Sequence, residues 1–442
     1  MEEKQVQRLR VPALFARLSR GRGPIALADQ MMVSAANFAG GIVLVRGLGL
    51  EEFGKYSIAY SLLLFANALQ MSFVASPMLN IGPLLQNEEK EHFVNGMLTL
   101  QMLASLLLFV VFALVGLVAR VFTAFYSVPC ILLFACCIGT YQLQDWLRRY
   151  YFLVNKGSHA LTTDFISYCV QFLLLLVLWR MGRLSLLLTF LVMCVTSVAA
   201  VVMGPLTDRL RPSWGTLGAT WKRCRSLSRD LLISSQVRWF GTQGLFLIGA
   251  VVLGSAGIGG LRATQSVGGP IYLILMSFEN VVPIRMAEEL KKSGAQGTYA
   301  LAQRWIVVSS LLFALALVPI AIFGKPILKF LYGPALVAFY WPMVLQLATI
   351  VVTAATMLWF HLYRTVQETP VMLQANGLAA LANLLTVYWF GRLWNASGIV
   401  ISMLLGQVVI ALFCMFYWAR HRASILERYP APDVAVSAES LG

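Results

Sequence analysis

Charged side chains inside long apolar runs are the residues of this sequence best placed to do chemistry. Each costs roughly 2.5–3.5 kcal/mol or more at the centre of a membrane unless it is paired or hydrated. Arg238 stands about eight residues into the run 230–253, roughly 12 Å deep at about 1.5 Å per residue. Its planar guanidinium suits the oxygens of a phosphate or carboxylate; the structural alternative is a snorkelling or internally paired arginine. Glu279 stands mid-way along 264–287, between Gly268-Gly269-Pro270 and Pro283, residues that favour a bent or broken helix with spare carbonyls lining a cavity. It is a candidate to bind a coupling cation or to balance the charge of Arg238 or Arg285. In the run 129–152 the apolar pattern stops at Gly139, and Tyr141, Asp145, Arg148 or Arg149, and Phe152 then share one helix face. That face is too polar for lipid and is expected to point into the bundle or a wet cavity. Asp145 with Arg148 or Arg149 reads equally well as an intrahelical pair. Arg148, Arg149 and Arg285 are the cationic candidates toward the cytoplasmic end, whereas Asp29, Asp164, Arg304 and Arg364 are expected at solvated span ends.

No enzyme motif accompanies these charges. His92, His159, His361 and His421 fall at or near loops and span ends without metal spacing, and the seven cysteines include no CxxC pair. They read as small apolar packing residues. Gly254-Ser255-Ala256-Gly257-Ile258-Gly259-Gly260 is rich in glycine, but it opens no βαβ unit and is not a phosphate loop. No metal or resident cofactor is expected; Na+ and H+ are the candidate coupling ions.

The elements that must position these residues are transmembrane helices. Of 442 residues, 59% are hydrophobic and 12% charged, and mean hydropathy is +0.75, outside the range of soluble domains. Twelve runs are long enough to cross about 30 Å of hydrocarbon: 25–45, 57–80, 94–118, 129–152, 160–180, 184–206, 230–253, 264–287, 301–323, 341–363, 371–391 and 396–418. The expected class is therefore an all-α integral membrane protein. Residues 1–24 hold six basic residues and no apolar core, so no cleavable signal is expected; the segment reads as a cytoplasmic arm, helical on the inner leaflet or disordered.

The net charge of +15 is a matter of topology. With twelve spans, 24 of the 34 Lys and Arg fall on the side of both termini and 9 on the other, which places both termini in the cytoplasm. The basic excess then meets anionic lipid and not nucleic acid.

The chain also repeats itself. The elbow Arg46-Gly47-Leu48-Gly49-Leu50-Glu51-Glu52-Phe53-Gly54-Lys55-Tyr56 returns 205 residues later, with Leu253-Gly254, Gly259 and Leu261 matching Leu48-Gly49, Gly54 and Tyr56. At an offset of 213, Pro129, Trp146 and Tyr150 match Pro342, Trp359 and Tyr363. Two six-helix bundles, 25–206 and 230–418, related by a pseudo-twofold along the membrane normal are expected, joined by a basic cytoplasmic loop 207–229 and followed by a solvated tail 419–442.

The elbow pattern Arg46-Gly47-Leu48-Gly49 with Phe53-Gly54-Lys55-Tyr56-Ser57-Ile58-Ala59 resembles the polysaccharide transporter, O-antigen flippase-like branch of the multidrug, oligosaccharidyl-lipid and polysaccharide (MOP) exporter superfamily. The Tyr332-Gly333 stretch and the span count extend the resemblance over nearly the whole chain. The resemblance implies translocation of a polyprenyl-diphosphate-linked oligosaccharide from inner to outer leaflet by alternating access, alongside polysaccharide assembly proteins. A diphosphate needs a hydrated cationic cavity, with aromatics such as Trp239, Tyr141 and Tyr272 for the sugars, while the polyprenyl tail stays in lipid. A multidrug-extrusion-like antiporter would instead favour an acidic cavity. A membrane glycosyltransferase or polymerase is disfavoured by the short outer loops.

Overall fold

The computed structural model describes residues 23–123, 125–207 and 210–431, which are helical with no strand among them. Residues 1–22 of the amphipathic arm, and the tail beyond 431, lie outside the described residues. In chain order the helices are α1 (Gly23–Gln70), α2 (Ser76–Ile81), α3 (Asn87–Phe122), α4 (Val128–Leu153), α5 (Gly157–Asp164), α6 (Gln171–Arg180), α7 (Leu186–Thr207), α8 (Trp214–Thr242), α9 (Gly244–Val267), α10 (Gly269–Ile322), α11 (Gly324–Tyr332), α12 (Tyr340–Thr365) and α13 (Pro370–Arg428). Nine helical segments among the described residues are long and apolar enough to cross a membrane. Some are far longer than one crossing: the 48 residues of α1 would reach about 72 Å if straight, against a hydrocarbon core of about 30 Å. Helix α1 is broken at Gly49, α9 at Gly254, α10 at Gly294 and α13 at Trp394–Asn395.

The breaks carry the repeat seen in the sequence. Gly49 (φ 75°, ψ 171°) and Gly254 (φ 69°, ψ −179°) adopt one conformation, in a region essentially closed to residues with a side chain. Helices α4 and α12 are each 26 residues long. In α4 Trp146 stacks on Tyr150 at 5.8 Å, and in α12 Trp359 stacks on Tyr363 at 5.9 Å. Each helix ends on a left-handed residue, Asn155 or Gln367. Each end is closed by a 2.8 Å bond five residues back, from Lys156 N to Tyr151 O and from Glu368 N to Tyr363 O, the Schellman arrangement that satisfies terminal carbonyls.

The chain forms two compact units. The first comprises residues up to 40 with 70–229. In it α4 packs against α3 and α7, and the core gathers Met78, Phe93, Met97, Trp146, Tyr151 and Cys224. The segment expected as a loop at 207–229 is helical from Trp214 onward, as the start of α8. Its charges, Arg223 among them, lie on one face, with Arg223 paired to Glu89 at 2.7 Å. Thr220, Cys224 and Ser228 are buried on the other: Cys224 joins the core and Thr220 fills the space left by Gly96, while Trp221, still 37% exposed, packs on Phe73 at 5.0 Å. Tertiary packing of that face overrides its polar composition.

The second unit comprises 41–69 with residues from 230 on. Here α12 packs against α10 and α13, and α9 against α13, around Met286, Leu358, Trp359, Tyr363, Cys414 and Trp418. The two elbows meet inside this unit: a Cβ on Gly54 would overlap the Ser255 carbonyl, and one on Gly259 would overlap the Leu50 carbonyl. Backbone lies on backbone, which explains glycine at both positions better than turn formation does. His361, expected near a span end, is 2% exposed in α12, and neither ring nitrogen has a hydrogen-bond partner among the described residues. All seven cysteines are free, five of them buried.

Candidate functional site

In the first unit the polar face of α4 closes on itself. Arg149 donates to both oxygens of Asp145, one helical turn back, at 2.8 and 3.2 Å. Arg148 turns the other way, toward α1 and α5. Its Nη2 donates to Asp29 Oδ2 at 2.7 Å, and its Nε lies 2.7 Å from Asp164 Oδ2, in ion-pair range though not aligned as a hydrogen bond. Gln144 adds a donor to Asp164 Oδ1 at 3.0 Å. Asp29 and Asp164, expected at wet span ends, are both 0% exposed. Asp164 sits at the point where α5 passes into a π-helical turn, Phe165–Val170, from which Tyr168 meets the Tyr141 hydroxyl at 3.2 Å. Such turns recur at functional sites in helices. The arrangement holds three carboxylates and two guanidiniums, so its arginines are already neutralised.

The candidates in the second unit are scattered. Arg238 is exposed near the end of α8, and no carboxylate pairs with it among the described residues. Beside it Trp239 is buried, edge-on to Phe65 at 4.8 Å. Arg285 is exposed and reaches Glu288 on its own helix at 3.3 Å. The side chains of Glu279 and Tyr272 lie outside the described residues.

The residue that sequence reasoning missed is Arg262. It falls between the expected spans 230–253 and 264–287, and it lies on the helical part of α9 that continues beyond Gly254 to Val267. It is half-buried and has no carboxylate partner among the described residues. Its Nη2 donates to Ser61 Oγ at 2.8 Å and Gln243 Oε1 at 3.0 Å, and its Nη1 to Gln265 Oε1 at 2.8 Å; its Nε is buried and unpaired. The guanidinium lies 4.3 Å from the Phe246 ring centre and 5.8 Å from that of Tyr60. Gln243 follows Arg238 by five residues, about 7.5 Å of helical rise. A half-buried cation held, among the described residues, by neutral acceptors and ring faces retains its attraction for an anion. The available signal was the helical register: three residues from Gly259, Arg262 falls where the apolar run resumes.

Among the described residues no group of three or more His, Cys, Asp and Glu is placed to hold a metal ion. No protein-family model and no curated protein matches the chain. Solved structures do. A lipid II flippase MurJ in an inward closed conformation aligns with TM-score 0.67 over 88% of this chain and 86% of its own, at 12% identity. The fold is that of the MOP transporters. An inward-facing multidrug resistance MATE family transporter of that superfamily aligns with TM-score 0.69 over 92% of this chain and 99% of its own, at 14% identity. A MOP superfamily transporter from Pyrococcus furiosus, described as having a binding pocket of reversed polarity, aligns with TM-score 0.56 over 91% and 94%, at 13% identity. At these identities the likeness is one of fold.

Proposed function

We propose that this chain is a flippase that moves a polyprenyl-diphosphate-linked oligosaccharide across the bacterial inner membrane by alternating access, with twelve spans and both termini in the cytoplasm. The observation that carries the reading is Arg262, a half-buried guanidinium whose partners are all neutral. A phosphate oxygen displacing Gln243 or Ser61 exchanges a neutral hydrogen bond for a charge-assisted one of about twice the strength. Arg238, without a carboxylate partner among the described residues and about one and a half turns before Gln243, is the second contact for a diphosphate. The fold shared with a lipid II flippase supports a lipid-linked substrate. The fold shared with multidrug transporters supports the rival, an antiporter driven by Na+ or H+, but an organic cation would be repelled by Arg262 and Arg238.

The test is reconstitution. Purified protein in proteoliposomes is expected to carry a polyprenyl-diphosphate-linked glycan to the opposite leaflet, where an impermeant glycan-modifying reagent reads its arrival. Arg262→Ala and Arg238→Ala are each expected to lower the rate at least tenfold while leaving folded protein. Arg262→Lys should restore only part of it, because the forked contact is lost. Transport of a cationic dye down an imposed Na+ or H+ gradient, with no movement of the lipid-linked glycan, would overturn the reading in favour of the antiporter. Cytoplasmic placement of α8 is tested separately: Ser213→Cys, on a background without native cysteines, should resist an impermeant reagent added outside intact cells.

A further inference from the structure

The elbow pattern Arg46-Gly47-Leu48-Gly49 does more than turn the chain. Arg46 donates through Nε to the Leu331 carbonyl at 2.8 Å and through Nη2 to that of Phe330. These are among the free carbonyls at the C-terminal end of α11, so the guanidinium caps that helix and is fixed by it. Its Nη1 makes no hydrogen bond among the described residues. Beside it opens a cavity of about 550 Å3, lined by Arg46, Gly49, Lys329, Tyr332, Gly333 and Leu336 among others, within the range of small-ligand pockets. Lys329 is exposed and has no carboxylate partner among the described residues. Among the described residues no carboxylate lines the cavity. The nearest acidic residues of the elbow, Glu51 and Glu52, both turn to Lys55, at 3.4 and 2.6 Å. Two cations therefore face one concave space without a counter-charge.

The helix that carries Lys329 and Tyr332 into that space has an outer face suited to lipid. Along α11, Gly324, Leu328 and Tyr332 are buried, while Lys325, Lys329 and Phe330 are exposed. Phe330 is 77% exposed, and Phe323 and Trp341 flank the helix with more than half of their surface open. Lys325 lies over the Tyr340 ring at 5.4 Å. Amphipathic helices with aromatic and lysine residues of this kind lie in the headgroup layer of a bilayer.

We propose that the cavity between Arg46 and Lys329 binds the phosphate of a lipid headgroup, with the lipid's chains laid over Phe330. The site is separate from Arg262 and is a second place on the protein where a phosphate-bearing lipid is held. Its chemistry, one fixed guanidinium and one lysine around a phosphate, is shared by a lipid headgroup and by free phosphate; the exposed aromatic face of α11 selects the lipid.

The experiment is native mass spectrometry of the purified full chain, delipidated and then titrated with phosphatidylglycerol, with diacylglycerol, or with inorganic pyrophosphate. Wild type is expected to retain phosphatidylglycerol about tenfold better than diacylglycerol, which has the chains without the phosphate. Lys329→Gln should lower that retention roughly five- to tenfold, and Lys329→Arg should keep it. Arg262→Ala should keep it as well, so loss of transport and loss of this site are read independently. Pyrophosphate should bind at least tenfold more weakly than phosphatidylglycerol. The proposal is overturned if phosphatidylglycerol and diacylglycerol are retained alike, if monodisperse Lys329→Gln retains phosphatidylglycerol as wild type does, or if pyrophosphate binds as tightly as the lipid.

Discussion

Removing Arg148 separates a structural from a solvated reading of the charges on α4. Asp29 and Asp164 are both fully buried and share its guanidinium. In Arg148→Ala the two carboxylates lose their common cation, while the Gln144 amide still donates to Asp164. Breaking a buried ion pair by deleting one partner costs about 3–5 kcal/mol. At about 2–4 °C per kcal/mol for a unit of 150–250 residues, the melting temperature should fall by roughly 6–20 °C. The assay is thermal unfolding in detergent followed by tryptophan fluorescence, with Trp146 in the same core as the reporter. Replacing all three residues, Arg148→Met with Asp29→Asn and Asp164→Asn, removes every formal charge and should recover most of the loss, since a buried triad can be replaced at little net cost. Asp145→Asn, in contrast, frees an arginine that is 25% exposed and able to turn to water, so a change of about 1 kcal/mol or less is expected. An Arg148→Ala protein melting within 2 °C of wild type, or a triple variant no better than the single one, would refute the reasoning.

Other expectations rest on single contacts. Gly54→Ala places a methyl on the Ser255 carbonyl, where backbone faces backbone and neither side gives readily; a loss of about 1–3 kcal/mol is expected, whereas Gly40→Ala, with nothing within 4 Å, should be neutral or gain up to about 1 kcal/mol. Paired melting curves compare the two. Gln367 holds a left-handed conformation at the end of α12, so Gln367→Gly should stabilise by about 0.5–1 kcal/mol, read as a higher melting temperature. Partial burial pulls the Glu368 carboxyl upward, but hydrogen bonds from Arg428 and Tyr417 outweigh it and hold the group below the ordinary glutamate range. A group with a depressed folded value binds fewer protons folded than unfolded. Its contribution is therefore complete above the ordinary glutamate range and lost as pH falls through the folded value. Melting temperature measured against pH should fall on the acid side in wild type and less steeply in Glu368→Gln.

The sequence made the helices and the repeat legible because both depend on local chemistry. Gly49 and Gly254 stand out at a fixed offset, since their backbone conformation admits only glycine, and Trp146-Tyr150 and Trp359-Tyr363 stand out because each pair stacks within one helical turn. Charge pairing was not legible, because it depends on which helices become neighbours. Asp29 and Asp164 lie 119 and 16 residues from Arg148, on different helices, and each is near enough to a helix end to pass for a wet residue. Arg262 was misplaced for a related reason. The glycines of 254–260 read as a turn, yet only Gly254 leaves the helical conformation, so the residues after it are already helical. The polar stretch from Trp214 to Arg229 read as a loop because the groove it fills is built by Gly96 and Phe73, far away in the chain.

The two copies of the repeated helix treat charge in opposite ways. When Trp146-Tyr150 is laid on Trp359-Tyr363, Asp145, Arg148 and Arg149 of α4 fall on Leu358, His361 and Leu362 of α12. The last three are buried, and both leucines belong to the core of the second unit. The first unit thus spends its α4 arginines on its own carboxylates, while the second has no charges at the equivalent level. On the function proposed above, a substrate bearing two negative charges would meet arginines already paired in the first arrangement and, among the described residues, no Lys or Arg at that level in the second. Its counter-charge would then come from elsewhere, and Arg262 on α9, held by a serine, two glutamines and two aromatic rings, is a half-buried guanidinium without a carboxylate partner among the described residues.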